Sequence, residues 1–88
     1  MRKLYRNTLK NYFYNCLMRT RAASGLTQAQ MAEKLAMDDR SYIKLDHGKT
    51  CCSAVTLALY IAYACEEPAQ FAKDLRSAFE AQIHELVR

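Results

Sequence analysis

Two cations lie one helical turn apart in the stretch DDRSYIKLDHGK, residues 38–49. Arg40 and Lys44 are four positions apart, so a helix places both side chains on one face. A protruding helix with such a face suits the major groove of DNA, where Arg and Lys donate hydrogen bonds to O6 and N7 of guanine. The alternative is a solvated helix face without a partner, which is what most helical charge pairs are.

The charges are divided unevenly between the two halves of the chain. Residues 1–49 carry ten Lys/Arg and four Asp/Glu, a net charge of +6, whereas residues 50–88 carry three and five, a net charge of −2. The two halves together give the +4 of the whole chain. A basic half attracts polyanions such as nucleic acids from a distance, although a solvated basic surface explains the charge equally well.

The four cysteines offer a second kind of chemistry. Cys16 and Cys65 fall inside hydrophobic helical patterns, where a buried free thiol is common. Cys51 and Cys52 are adjacent, no C-x-x-C is present, and neither histidine has metal-ligand spacing to a cysteine. We therefore expect reduced thiols, no metal site and no cofactor, with a redox role for Cys51 and Cys52 as the alternative.

Catalysis and membrane insertion both lack support in the sequence. There is no Gly-rich phosphate loop, no nucleophile and base at recognisable spacing, and no pair of carboxylates in an apolar setting. The longest apolar run, Ala54–Cys65, is too short and too polar for a membrane span, and the N-terminus lacks the features of a signal peptide. We expect a soluble, cytoplasmic protein that is not an enzyme.

The elements that must position the two cations are helices, because β-branched residues never alternate with period two. We predict an all-α, compact five-helix bundle. The helices are expected over about 5–23, from Thr27, from Asp38 to Gly48, from after Ser53 to about Ala64, and from Pro68 to about Val87.

Local signals mark where these helices begin. Thr27 and Gln30 form a T-x-x-Q capping box at the start of helix 2. Asp38 is a natural cap for helix 3, and Pro68 suits the first position of helix 5.

Helices 2 and 3 are separated only by a tight turn, so we expect them to cross steeply, with the small Ala32 at their contact. Tyr42 and Leu45 then anchor the inner face of helix 3. The outward face carries Asp39, Arg40, Ile43, Lys44 and His47.

One arginine and three short motifs match a known pattern, with no insertion or deletion across the two central helices. They are Arg21, the run GLTQ at 25–28, MAEKL at 31–35, and SYIKLDHGK at 41–49. This pattern resembles the lambda-repressor/Cro-like (XRE-type) helix-turn-helix family of DNA-binding proteins. The resemblance covers about residues 19–65 and implies a single DNA-binding domain over 1–88, with an extended helix 1 and a C-terminal helix at 68–87.

The resemblance also implies roles for individual residues. Arg21 and Asp46 match a pair that forms an internal salt bridge in relatives, with phosphate contact as the second possibility for Arg21. The base-reading positions are Asp39, Arg40, Ser41, Ile43 and Lys44. The backbone-contacting positions are Gln28, Lys49 and Thr50, to which we add His47 from its place at the end of helix 3.

The sequence departs from the family pattern at several positions. Ala36 stands where relatives usually carry glycine, and the left-handed conformation expected there costs alanine about 1 kcal/mol. Asp38 replaces the usual serine or threonine, Ile43 replaces a polar residue, and Cys52 replaces a frequent proline.

Helix 5 carries a longer apolar stripe than a four-helix core needs: Phe71, Leu75, Phe79, Ile83 and Leu86. Either this stripe packs on the extension of helix 1, or it leaves a surface for a second subunit. We favour a homodimer through helix 5, because such DNA readers commonly bind two half-sites.

Together these features predict a sequence-specific DNA-binding transcriptional regulator, a repressor of bacterial or mobile-element genes. The alternative is an antitoxin or adaptor that binds a protein partner through helix 5.

Overall fold

The computed structural model describes residues 1–87, which contain five α-helices and no strand. The helices are α1 (Arg2–Ser24), α2 (Gln28–Lys34), α3 (Asp39–Asp46), α4 (Ala54–Leu59) and α5 (Pro68–Leu86), and α4 continues as a π-helical segment, Tyr60–Ala64. The predicted all-α five-helix bundle is confirmed. Within the same residues, no helix is long and apolar enough to cross a membrane.

The predicted helix starts are confirmed by hydrogen bonds. The Thr27 hydroxyl accepts from the Gln30 N–H at 3.1 Å, while the Gln30 side chain accepts from the Thr27 N–H at 2.9 Å. Asp38 accepts from the Ser41 N–H at 3.0 Å. Pro68 opens α5, where its missing N–H leaves no helical bond unmade.

One helix boundary and the type of one helical turn differ from the prediction. α1 begins three residues earlier than expected, at Arg2, and the end of α4 is π-helical, with the Cys65 N–H bonded to the Tyr60 carbonyl at 2.8 Å. The wider turn rotates the side chains that follow it. Tyr60 is buried, whereas Tyr63 is 67% exposed.

The core lies where α1, α2 and α3 meet, and it extends into the contact between α1 and α5. Its largest fully buried side chains are Phe13, Leu17, Met31, Leu35 and Tyr42. Tyr60 joins the two parts, because its ring lies 5.0 Å from that of Phe13 and 5.4 Å from that of Phe71. Aromatic pairs at such separations add to the free energy gained from burying the rings.

The first part of the α5 stripe packs on α1, which removes Phe71 from the predicted partner surface. Phe71 is only 6% exposed, and its carbonyl accepts from the Tyr12 hydroxyl at 3.2 Å. Phe79 packs edge-to-face on Tyr5 with ring centroids 5.0 Å apart. Of the other residues in the stripe, Leu75 and Ile83 are half-buried and Leu86 is exposed. The two extensions therefore pack on each other at Tyr5 and Phe79, which was the other possibility that the sequence left open.

The turn between α2 and α3 is a Schellman motif with alanine at its left-handed position. The Ala36 N–H bonds the Glu33 carbonyl at 3.0 Å, and the Met37 N–H bonds the Ala32 carbonyl at 2.9 Å. Ala36 has φ 54°, as expected for a residue that stands in place of glycine. The strained Ala36 therefore lies three residues before the start of α3 at Asp39.

Replacing Ala36 with glycine is expected to stabilise the protein. The change removes a left-handed alanine that costs about 1 kcal/mol, partly offset by the greater unfolded-state freedom of glycine. We expect the midpoint of thermal unfolding to rise by a few degrees. The control is Ala72→Gly on the exposed side of α5, which should lower the free energy of unfolding by about 1 kcal/mol. A fall for both variants would contradict the assigned strain.

Candidate nucleic-acid interface

The two faces of α3 are as unlike as the sequence predicted. Tyr42 and Leu45 are buried on the inner face. The outward residues are all exposed: Asp39, Arg40, Ile43, Lys44 and His47. Among the described residues, neither Arg40 nor Lys44 forms an ion pair. The outward face thus presents two cations whose donors are available to a ligand.

The orientation of α3 is held by the buried carboxylate of Asp46, which is 3% exposed. Arg21 of α1 lies against it, with Nη1 at 3.3 Å from Oδ2, so the predicted ion pair is confirmed. The same oxygen accepts from Nε2 of Gln28 in α2 at 2.8 Å, and Oδ1 accepts from the Tyr42 hydroxyl at 2.9 Å. One carboxylate therefore joins three helices.

Tyr42 takes part in this cluster as a hydrogen-bond donor. Burial raises the pKa of its hydroxyl well above the usual value, and the hydrogen bond to the Asp46 carboxylate raises the pKa further. The hydroxyl therefore keeps its proton at any pH at which the domain works. Sequence reasoning placed Tyr42 in the core but did not detect this bond, although the i, i+4 spacing to Asp46 is compatible with it.

Gln28 has a structural partner that the sequence did not predict. We expected its side chain to contact the DNA backbone, but its amide donates to Asp46. The residue still lies beside the outward face of α3, because Gln28, Ala29, Asp39 and Ile43 line one shallow cleft. The start of α2 and the base-reading positions thus share one surface.

The other residues predicted to contact the DNA backbone lie in the turn after α3. Gly48 has φ 70°, and the Lys49 N–H bonds the Lys44 carbonyl at 3.0 Å, which closes a second Schellman motif. His47, Lys49 and Thr50 are exposed around this turn. A Cβ at residue 48 would lie 3.5 Å from the ring of Tyr14, so the turn rests directly on α1.

At the start of α3, the capping carboxylate stays charged. The N–H of Ser41 donates to Asp38 and lowers the pKa of that carboxyl below its usual value. Ser41 itself is exposed and is followed along the chain by the buried Tyr42. The helix thus begins with fixed negative charge next to a predicted base-reading cation.

The four cysteines differ in how far they are buried. Burial, and after it the neighbouring Cys51, raises the pKa of Cys52 to about 12, so that thiol stays protonated and a poor nucleophile. Cys16 is buried and the other three are half-buried, all as free thiols. Residues 1–87 contain no group of three side chains arranged to hold a metal ion.

Comparisons with protein-family models, with curated proteins and with solved structures gave no match. The resemblance to the helix-turn-helix family therefore stays a prediction from the motif residues.

Removing the Asp46 carboxylate is expected to destabilise the fold strongly. Asp46→Ala leaves the Arg21 guanidinium and two other donors without their acceptor, which should lower the free energy of unfolding by about 3 kcal/mol. Chemical denaturation measures this change. The matched control is Glu80→Ala, which breaks the exposed Arg76–Glu80 pair and should cost under about 0.5 kcal/mol. Equal losses for the two variants would show that Asp46 does not organise the helices.

Proposed function

We propose that this chain is a sequence-specific DNA-binding transcriptional regulator, a repressor of bacterial or mobile-element genes, in which α3 enters the major groove. The outward face of α3 is the observation that supports this most directly. Arg40 and Lys44 lie one turn apart there, exposed and without ion pairs among the described residues, while the inner face anchors the helix.

Each side chain at a predicted base-reading position matches a chemical feature of base edges. Arg40 and Lys44 donate to O6 and N7 of guanine, and Asp39 accepts from N4 of cytosine. Ile43 is 41% exposed, and its methyl groups suit the methyl group of thymine. Ser41 donates or accepts, so it adapts to either kind of edge.

Phosphate contacts then set the position of α3 in the groove. Lys49 and Thr50 follow the end of α3, and His47 lies on its last turn, all exposed. Contacts of this kind add affinity for any sequence and weaken as the salt concentration rises.

A second candidate function is supported by exposed apolar residues on α4. Val55 is 69% exposed and Tyr63 is 67% exposed, and residues 53–65 contain no charged side chain. Such a surface suits another protein chain. A second copy would give a homodimer that reads two half-sites about 34 Å apart. A different protein would make the chain an antitoxin or adaptor. Since Phe71 is buried and Phe79 packs on Tyr5 of α1, we move the proposed partner surface from α5 to α4.

Arg40 and Lys49 should affect DNA binding in different ways. Purified protein first selects its preferred duplex from random DNA, and fluorescence anisotropy then compares that duplex with a scrambled one. Arg40→Ala is expected to cost about 1–3 kcal/mol on the selected duplex and to relax the preference at one base pair. Lys49→Ala should weaken both duplexes alike and lower the slope of log K against log salt by about one.

The control for this pair is Lys73→Ala, which removes an exposed cation from α5 and should change neither property. Identical behaviour of the Arg40 and Lys49 variants on every duplex would contradict the proposed separation of base reading from phosphate contact.

The oligomeric state tests the α4 surface. Sedimentation velocity at tens of micromolar is expected to show a dimer, and Tyr63→Ser should dissociate it because the change removes an exposed apolar ring. The control is Leu86→Ser, which alters an apolar residue of similar exposure at the end of α5. Dissociation by the Leu86 variant alone would return the interface to α5, and a wild-type monomer would exclude a stable homodimer.

A further inference from the structure

A row of cations runs along the first half of α1, outside the residues that the proposed function uses. Arg2, Arg6 and Lys10, the basic row, recur at intervals of four positions and so share one side of the helix. α1 contains six Lys/Arg and no Asp/Glu, so no carboxylate of the same helix neutralises the row.

The basic row runs alongside the segment that follows α3. Arg2 and Arg6 line an open cleft of about 320 Å³ together with Cys51, which comes directly after Lys49 and Thr50. Further along the same side of α1, the ring of Tyr14 lies against Gly48. The row therefore continues the surface on which Lys49 and Thr50 are exposed.

The stability of the fold does not account for Arg2 and Arg6. Arg2 and Arg6 are exposed, and the basic row forms no ion pair within residues 1–87. Arg2 also lies in the first turn of α1, where a positive charge is mildly unfavourable to the helix. Removing these charges should leave the folded state as stable as before, or slightly more stable.

We infer that the basic row extends the phosphate-binding surface of Lys49 and Thr50 along α1 and contacts the backbone of duplex DNA beside the base pairs that α3 reads. The inference rests on the proposed DNA binding. Charge complementarity identifies the partner, because the row spans about 12 Å of helix. Over that length, one DNA strand presents about three or four phosphates.

The test compares two double variants that lower the net charge equally, from +4 to +2. Arg2→Gln/Arg6→Gln removes two cations of the row, whereas Lys73→Gln/Arg76→Gln removes two exposed cations of α5. Binding to the selected duplex is measured by anisotropy between about 50 and 200 mM salt. The row variant should lower the salt slope by about two, so that its affinity falls about tenfold less than that of the wild type over this range.

Two further readouts separate phosphate contact from a structural role. The ratio of affinities for selected and scrambled duplexes should be unchanged in the row variant, because phosphate contacts carry no sequence information. The midpoint of thermal unfolding should be equal to or higher than that of the wild type. A lower midpoint accompanied by a reduced ratio would make the row structural and overturn the inference.

The remaining outcomes distinguish the inference from the function on which it rests. Equal salt slopes in the two double variants would overturn the inference, while a lost base preference in Arg40→Ala would still support sequence reading by α3. Conversely, a row-dependent salt slope without any sequence preference would support the row and overturn the proposed function. Row-dependent binding to phosphatidylserine vesicles, with no binding to DNA, would overturn both and assign the row to a membrane surface.

Discussion

The arrangement of the first three helices depends on one buried carboxylate. Asp46 accepts hydrogen bonds from Arg21 of α1, Gln28 of α2 and Tyr42 of its own helix. A buried charge is tolerated only when its hydrogen-bonding capacity is met, so the favourable geometry requires all three donors in place. Any rotation of α3 would separate Asp46 from the donors on α1 and α2. The outward face of α3 therefore has a defined direction, which a base-reading helix needs.

Two surfaces with different chemistry lie on this small domain. α3, the turn after it and the basic row of α1 bring together cations from the first half of the chain, where the net charge is +6. The uncharged segment 53–65 contributes the exposed Val55 and Tyr63. Under the proposed function, phosphates contact the first surface and the apolar side chains of a protein partner the second, so the two kinds of partner need not compete.

Several structural details were predictable from the sequence, and one was not. The caps at Thr27 and Asp38, the left-handed Ala36 and the Arg21–Asp46 pair were all predicted and all present. Each depends on short spacing or on a motif match. The bond between Gln28 and Asp46 was missed, because an amide has many possible partners and only the packing of α2 beside α3 selects one.

The sequence alone determined the five helices and the division of α3 into buried and exposed faces, because capping and helical periodicity are local properties of the chain. Tertiary structure decided which apolar residues are covered. Phe71 packs in the core and Phe79 against α1, while Val55 and Tyr63 are left exposed. An apolar stripe indicates only that a helix packs against something. The position of the neighbouring helix and the π-helical turn determine which of its side chains become covered.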